Sequence, residues 1–582
     1  MVQFYNHAIL ALTAIVSMGF MGVARSRADP NVVEMPVTTI EADIASGTYT
    51  DQAIVQAYVN RVNTYNPLYN AFTWINPDAV AQAAADDAIL AGNGGVIPAN
   101  EPLFGVPIVV KDSMNVAGVR TTGGYSGFTA ENGGVDMIPL TDAPIVARLK
   151  AAGAIILGKT NLPAFAKSAA SANTSYLGPT LNSYYSTINI IPGGSSSGTA
   201  TAVSSSMAPI GTAEETGGSI ENPAGAQSLV GVKTTFGLVP TSGGIPLNGS
   251  TRDVFGVNAR NVTDAANFLS VIAGYDASDP KTAASNGHIP AAGYGSGLSA
   301  TSLQGKRIGL FSPAFKNVTL SPETQALYDH DVQILQSLGA TVVTDPFSDP
   351  KLAIPFNTLA NAQITSSAGT FTFSAYSGVN EPYDLQQWMS TLDPKKSPTT
   401  VAAFKAATGI DLLAPSSLGG PILGNLASTP NLSVAVTEPT VSQDAMVAAF
   451  NQGRAQMLGE FEQVLSDDNL DGLFFPQEFK EPGPLVGGSY SNTTVSEVNL
   501  MGTPLVDLPG GYYADGAPFS VGFLGDQWTE RTLLNYAFDF EQNTEFRVAP
   551  TLVVPEPASC GVLVLGGLLL VRRPRKQGRD AA

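Results

Sequence analysis

The stretch Glu215-Thr216-Gly217-Gly218-Ser219-Ile220-Glu221-Asn222-Pro223-Ala224 places a serine behind two consecutive glycines and ahead of a run of small residues. Consecutive glycines leave backbone N–H groups free to converge beside the Ser219 hydroxyl, which is what an oxyanion hole requires. Thr216, Gly217, Gly218 and Ser219 are therefore the candidate oxyanion donors. Further on, Leu229-Val230-Gly231-Val232-Lys233 reads as a strand fed by a short helix that begins at Pro223.

Two other segments extend this reading. In Pro192-Gly193-Gly194-Ser195-Ser196-Ser197-Gly198 the glycines permit a tight turn that presents a serine, and no Gly-Lys-Ser/Thr follows to make it a phosphate loop. Thr199 to Met207, small and apolar, then reads as a closely packed buried helix. In Gly105-Val106-Pro107-Ile108-Val109-Val110-Lys111-Asp112 a buried strand delivers Lys111 at its end. A serine attacks a carbonyl only when a base takes its proton, and histidine is the usual base. This chain has three histidines, His7, His288 and His330, all outside the glycine-rich segments. Lys111 is the better candidate, provided that burial lowers its pKa from the ordinary value of about 10.4. The residues themselves thus outline a Ser-Ser-Lys hydrolase.

In their order and spacing, with 24 positions from Ser195 to Ser219, these segments closely resemble the amidase signature family. The resemblance extends through Ala151–Leu162, Gly231–Pro240 and Gly502–Gly510, covers roughly Ile40 to Glu545, and is weakest between about Pro290 and Asn499. It implies an α/β fold built on a large mixed twisted sheet with helices on both faces. It also implies that Ser219 is the nucleophile, Ser195 a bridging serine after a cis peptide bond from Gly194, and Lys111 the base. Ser196, Asp112 and Glu215 are the expected supporting residues. The implied reaction converts a carboxylic amide to an acid plus ammonia or an amine through a Ser219 acyl-enzyme, with no metal or organic cofactor. An esterase or peptide amidase of the same mechanism, and a catalytically silent surface-binding relative, are the alternatives. Two positions depart from the family pattern. Glu221 stands where many relatives carry Arg, so that it either pairs with a nearby cation or raises the pKa of Lys111, and Ala164 stands where an acidic residue is frequent.

Composition bounds the setting. A net charge of −19 disfavours nucleic acid and anionic membrane as partners, and with them a tRNA-dependent role. The single cysteine, Cys560, excludes an intrachain disulfide and a cysteine-based zinc site. Residues 1–28 read as a signal peptide, with an apolar stretch from Ala8 to Val23 and a small-x-small site at Ser26-Arg27-Ala28. Residues 29–552 read as one amidase domain. Residues 553–582 carry Val554-Pro555-Glu556-Pro557-Ala558, an apolar run and a basic tail, and resemble a PEP-CTERM sorting signal read by an exosortase-type processing enzyme. The expected location is outside the cytoplasm of a Gram-negative-type cell: periplasm, surface or extracellular matrix. Membrane contact is expected only through the terminal segments, and the partner at the site is a small-molecule or peptide amide.

Overall fold

A computed structural model describes residues 29–554 except 171–172, 349–351, 353, 367–368, 375–379, 415–438 and 441. The expected leader, and all of the terminal sorting segment beyond Val554, lie outside the described residues. Among the described residues no helix is long and apolar enough to cross a membrane.

The short apolar runs of the sequence become the strands β1 (Phe72–Ile75), β2 (Pro107–Lys111), β3 (Ile155–Thr160), β4 (Ile210–Glu215), β5 (Val230–Lys233), β6 (Val254–Ala259), β7 (Arg307–Leu310) and β8 (Thr341–Val343). A small hairpin, β9 (Gln363–Ser366) and β10 (Gly369–Thr372), stands apart, and β11 (Gly472–Pro476), β12 (Leu505–Tyr512) and β13 (Pro518–Leu524) complete the set. Eleven of them form one mixed sheet in the order β1-β3-β2-β4-β6-β5-β12-β13-β11-β7-β8. β3, β2 and β4 run parallel, as do β11, β7 and β8, and antiparallel pairs join the two groups. Every residue of β2, β3 and β4 is buried, as expected of central strands flanked by helices.

Local signals set the helix ends. Two helices, Val37–Ala45 and Asp51–Tyr69, follow one another near the start of the described chain. Gly47 takes a positive φ of 64°, which ends the first helix, and the Thr50 side chain accepts from Ala53 N at 3.1 Å, which starts the second. Pro144 opens the helix that feeds β3, and Ser321 caps the helix Pro322–Ser337. The helix Ser197–Ser204 is buried at every position and packs on β4 and β6. Its small side chains allow that approach. At Gly198 an added Cβ would lie 2.4 Å from Asn161 N and 2.5 Å from the Ala71 carbonyl oxygen.

Beside the main core, Phe128, Phe165, Trp388 and Phe404 pack together and carry the helix Glu381–Met389 against the loop after β2. Trp388 Nε1 donates to Asn115 Oδ1 at 3.1 Å, and Asn115 Nδ2 donates to Thr391 Oγ1 at 2.9 Å. The helix Glu381–Met389 and Thr391 are thereby tied to the loop that follows the strand ending in Lys111.

Because the atoms facing Gly198 are backbone and cannot yield, Gly198→Ala is expected to cost about 1–3 kcal/mol. A lowered thermal midpoint with a correspondingly lower denaturant midpoint checks this.

Candidate active site

Lys111, Ser195 and Ser219 come from three separate segments, and the strand order brings them together. β2 ends in Lys111 beside the end of β4, from which the loop carrying Ser219 departs. The Ser195 turn folds back against that loop, where Ser196 N donates to the Ser219 carbonyl at 3.4 Å. The Gly194–Ser195 peptide is cis, as the resemblance implies. Gly193, at φ 69°, lies so close to Asn222 and Pro223 that a Cβ would reach within 2.4 Å of the Asn222 carbonyl oxygen.

Lys111 and Ser195 are completely buried, whereas Ser219 keeps 7 % exposure, so Ser219 is the hydroxyl placed to meet an incoming molecule. Lys111 Nζ lies 2.7 Å from Ser195 Oγ and donates to the Glu214 carbonyl at 3.0 Å. Burial lowers the pKa of Lys111 to about 8, against the opposing charges of Glu214, Glu215 and Asp253. A base close to neutrality results, which an exposed lysine cannot supply.

The N–H groups of Gly217, Gly218 and Ser219 make no hydrogen bond among the described residues. Gly218 has φ 86° and packs on Asn222, which only a glycine tolerates without strain. Thr216 is anchored through its hydroxyl to Asp253, whose carboxylate also accepts from Leu247 N and Asn248 N at 2.9 Å. Glu215 braces the loop from inside, accepting from Ile220 N at 2.8 Å and from Asn499 Nδ2 at 2.6 Å. Ser196 Oγ bonds both the N–H and the carbonyl of Glu214 at 3.3 Å.

Asp112 does not join this group. Its carboxylate pairs with the buried Lys159 ammonium at 2.6 Å and accepts from Thr122 N at 3.3 Å, with no hydrogen bond to Lys111, Ser195 or Ser219. Successive residues of an extended chain face opposite ways, so the neighbour of Lys111 is directed into a different cluster. Glu221 is completely buried without a hydrogen-bond partner; burial, then Glu215, pushes its carboxyl well above the ordinary range, and Lys233 pulls it back. It stands against the cation Lys233, and the carboxylates acting on Lys111 are Glu214, Glu215 and Asp253. His288 stacks on Trp528 and His330 lies beside Asp331, both elsewhere.

Glu214 and Asp253 are absent from the set expected from sequence. The doubled carboxylate Glu214-Glu215 is a signal for the first, since strand alternation turns one of the two toward Lys111. Both line a cavity of about 740 Å³ whose lining also includes Asn380, Tyr383, Trp388 and Val447. Among the described residues no group of three or more His, Cys, Asp or Glu side chains is placed to hold a metal ion.

The profile of the Amidase family matches residues 53–534. The chain belongs to the amidase family. It is an enzyme that hydrolyses carbon–nitrogen amide bonds. The amidase is 30 % identical over 518 residues to a glutamyl-tRNA(Gln) amidotransferase subunit of Thiobacillus denitrificans, covering 88 % of this chain and 97 % of the relative. Among solved structures it is similar to native peptide amidase from Stenotrophomonas maltophilia, with a TM-score of 0.70 and 29 % identity over 89 % of this chain and 99 % of that one. An amidase family protein from Bacillus anthracis matches with a TM-score of 0.68 and 25 % identity, covering 90 % and 93 %.

Removing one partner of the Lys159–Asp112 pair leaves a buried charge uncompensated. Lys159→Met is therefore expected to lower stability by about 3–5 kcal/mol, read from chemical denaturation.

Proposed function

We propose that this amidase cleaves the carboxamide of a small-molecule or peptide amide, with Ser219 as nucleophile, Ser195 as bridging serine and Lys111 as base. The observation that carries the reading is the fully buried 2.7 Å contact between Lys111 Nζ and Ser195 Oγ beside the Ser219 loop. Neutral Lys111 accepts the Ser195 proton while Ser195 takes that of Ser219, and Ser219 Oγ bonds to the amide carbon. The N–H groups of Thr216, Gly217, Gly218 and Ser219 receive the oxyanion. Collapse breaks the carbon–nitrogen bond, and the relayed proton returns through Ser195 to the leaving nitrogen. Water then attacks the ester with the same relay and releases the acid.

A cavity of about 740 Å³ adjoins the site through Glu214 and Asp253, with Lys111, Ser195 and Ser219 outside its lining, and the likeness to peptide amidase supports a substrate of peptide size. The net charge of −19 favours a free amide over a tRNA-bound one. We also propose that the enzyme is exported, from the leader-like residues 1–28 and the terminal segment resembling a PEP-CTERM signal, with an exosortase-type enzyme as processing partner. Recovery of the full-length chain in the cytosolic fraction of its native cells would refute export; periplasmic or surface recovery with an N-terminus near Asp29 is expected.

Ammonia and amine release from a panel of aliphatic, aryl and peptide amides tests the catalytic reading. Ser219→Ala and Lys111→Ala are each expected to reduce kcat/KM by about 10³-fold or more. Activity that survives Ser219→Ala overturns the mechanism. Since only neutral Lys111 accepts a proton, kcat/KM is expected to rise with pH to a plateau above about 8, the value to which burial lowers this lysine.

A further inference from the structure

Glu214 stands between Lys111 and the large cavity. The residue is 2 % exposed and contributes to the cavity wall, and its Oε2 lies 3.9 Å from Lys111 Nζ. Ser113 Oγ donates to that same oxygen and fixes the carboxyl in place. The backbone of Glu214 meanwhile holds the amine, since its carbonyl accepts from Lys111 Nζ at 3.0 Å. At 3.9 Å the carboxyl is too far from Nζ for a good hydrogen bond, yet close enough for its charge to be felt strongly in a dry site.

We propose that Glu214 is a positioning residue that holds Lys111 as an ammonium in the resting enzyme, so that the charge on its carboxyl sets the pH at which the base becomes available. The proposal rests on the reading of Lys111 as base and adds the group that governs it. A negative charge within about 4–6 Å favours the protonated amine by about 1–3 pKa units. Loss of that charge, by protonation or by substitution, releases neutral Lys111.

Other charges face the pair, and none duplicates this role. On β4, Glu215 also acts on Lys111, but both its oxygens are engaged by Ile220 N and Asn499 Nδ2. Asp253, ahead of β6, acts on both Lys111 and Glu214, and is held by Thr216 and by two backbone N–H groups. Of the nearby cations, Arg252 feels the charges of Asp253 and Glu215, and Lys281 pairs with Asp279 at 2.6 Å. Across β2, Lys159 and Asp112 pair with each other. Glu214 is the carboxylate whose oxygen approaches Nζ within 4.0 Å. Burial raises its own carboxyl to about 7, against the pull of Lys111, which places its loss of charge in a range the enzyme can meet.

The test is the pH dependence of kcat/KM for an uncharged amide across pH 5–10 in wild type, Glu214→Gln, Glu214→Thr, Glu214→Asp and Glu221→Gln. Labelling of Ser219 by a fluorophosphonate is followed over the same range as a readout that needs no amide turnover. Both neutral variants are expected to move the acid limb of turnover and of labelling downward by about 1–3 units. Glu214→Asp, which keeps the charge, and Glu221→Gln, which alters a carboxyl that faces Lys233 and not Lys111, are expected to leave the limb near its wild-type position. A limb that stays in place in whichever neutral variant folds overturns the proposal, as does an equal displacement in Glu221→Gln. Labelling that persists unchanged in Lys111→Ala overturns the base assignment itself, which separates that failure from a failure of Glu214 alone.

Discussion

A lysine amine without access to water governs this structure. Lys111 Nζ must be satisfied inside the protein, and it finds Ser195 Oγ and the Glu214 carbonyl. Those two contacts require the ends of β2 and β4 to lie side by side and the Ser195 turn to fold back over them. The parallel arrangement of β3, β2 and β4 provides the first. The second requires the helix following the turn to sit very close to the sheet, which explains why Ser197–Ser204 consists of Ser, Gly, Thr, Ala and Val alone. The compositional oddity of that segment is thus a consequence of where the amine is buried.

The same burial explains how the surrounding carboxylates are arranged. An ionised group in a dry interior is tolerated only with partners. Asp112 obtains a full ion pair from Lys159, Glu215 a backbone N–H and an amide, and Asp253 two backbone N–H groups and a hydroxyl. Each carboxylate so committed also fixes a loop: Glu215 and Asp253 hold the Thr216–Ser219 turn from two sides. Glu214 differs in having Ser113 as its direct donor and Lys111 slightly beyond hydrogen-bond range. The acid nearest the base is thus the one least tied to backbone.

What could be read from sequence follows the range of the interactions involved. Lys111, Ser195 and Ser219 are legible because their settings are local: a strand end and two glycine-rich turns. The helix starts at Pro144 and Ser321 carry equally local signals, through proline and cap chemistry. Asp112, expected as a supporting residue, pairs with Lys159, and Glu214, for which no role was expected, lies beside Lys111, because sequence adjacency does not tell which side of a strand a carboxyl faces. The cavity walls at Asn380, Tyr383, Trp388 and Val447, and the Asn499 brace on Glu215, come from the region where the family resemblance is weakest. Their placement depends on aromatic packing across long loops, such as Phe128 on Trp388, which leaves no short-range pattern.

Ser219 keeps a little exposure while Ser195 and Lys111 are completely buried, so on the proposed relay the proton of the Ser219 hydroxyl moves inward, away from solvent. Such a path works only if the amine at its end is neutral when substrate is in place and is otherwise kept from stray acylation. An ammonium in the resting state meets the second need, because it cannot accept the proton that would activate Ser219. Meeting the first requires a signal that the cavity is occupied. Glu214 touches both regions, with Lys111 on one side and the cavity on the other. If it governs Lys111 as proposed, an acyl group that displaces water from the cavity would make the Glu214 charge costlier, favour its protonation and so free the amine. An uncharged, well-fitting substrate would then bring about the deprotonation that its own hydrolysis needs, and an empty site would remain quiet.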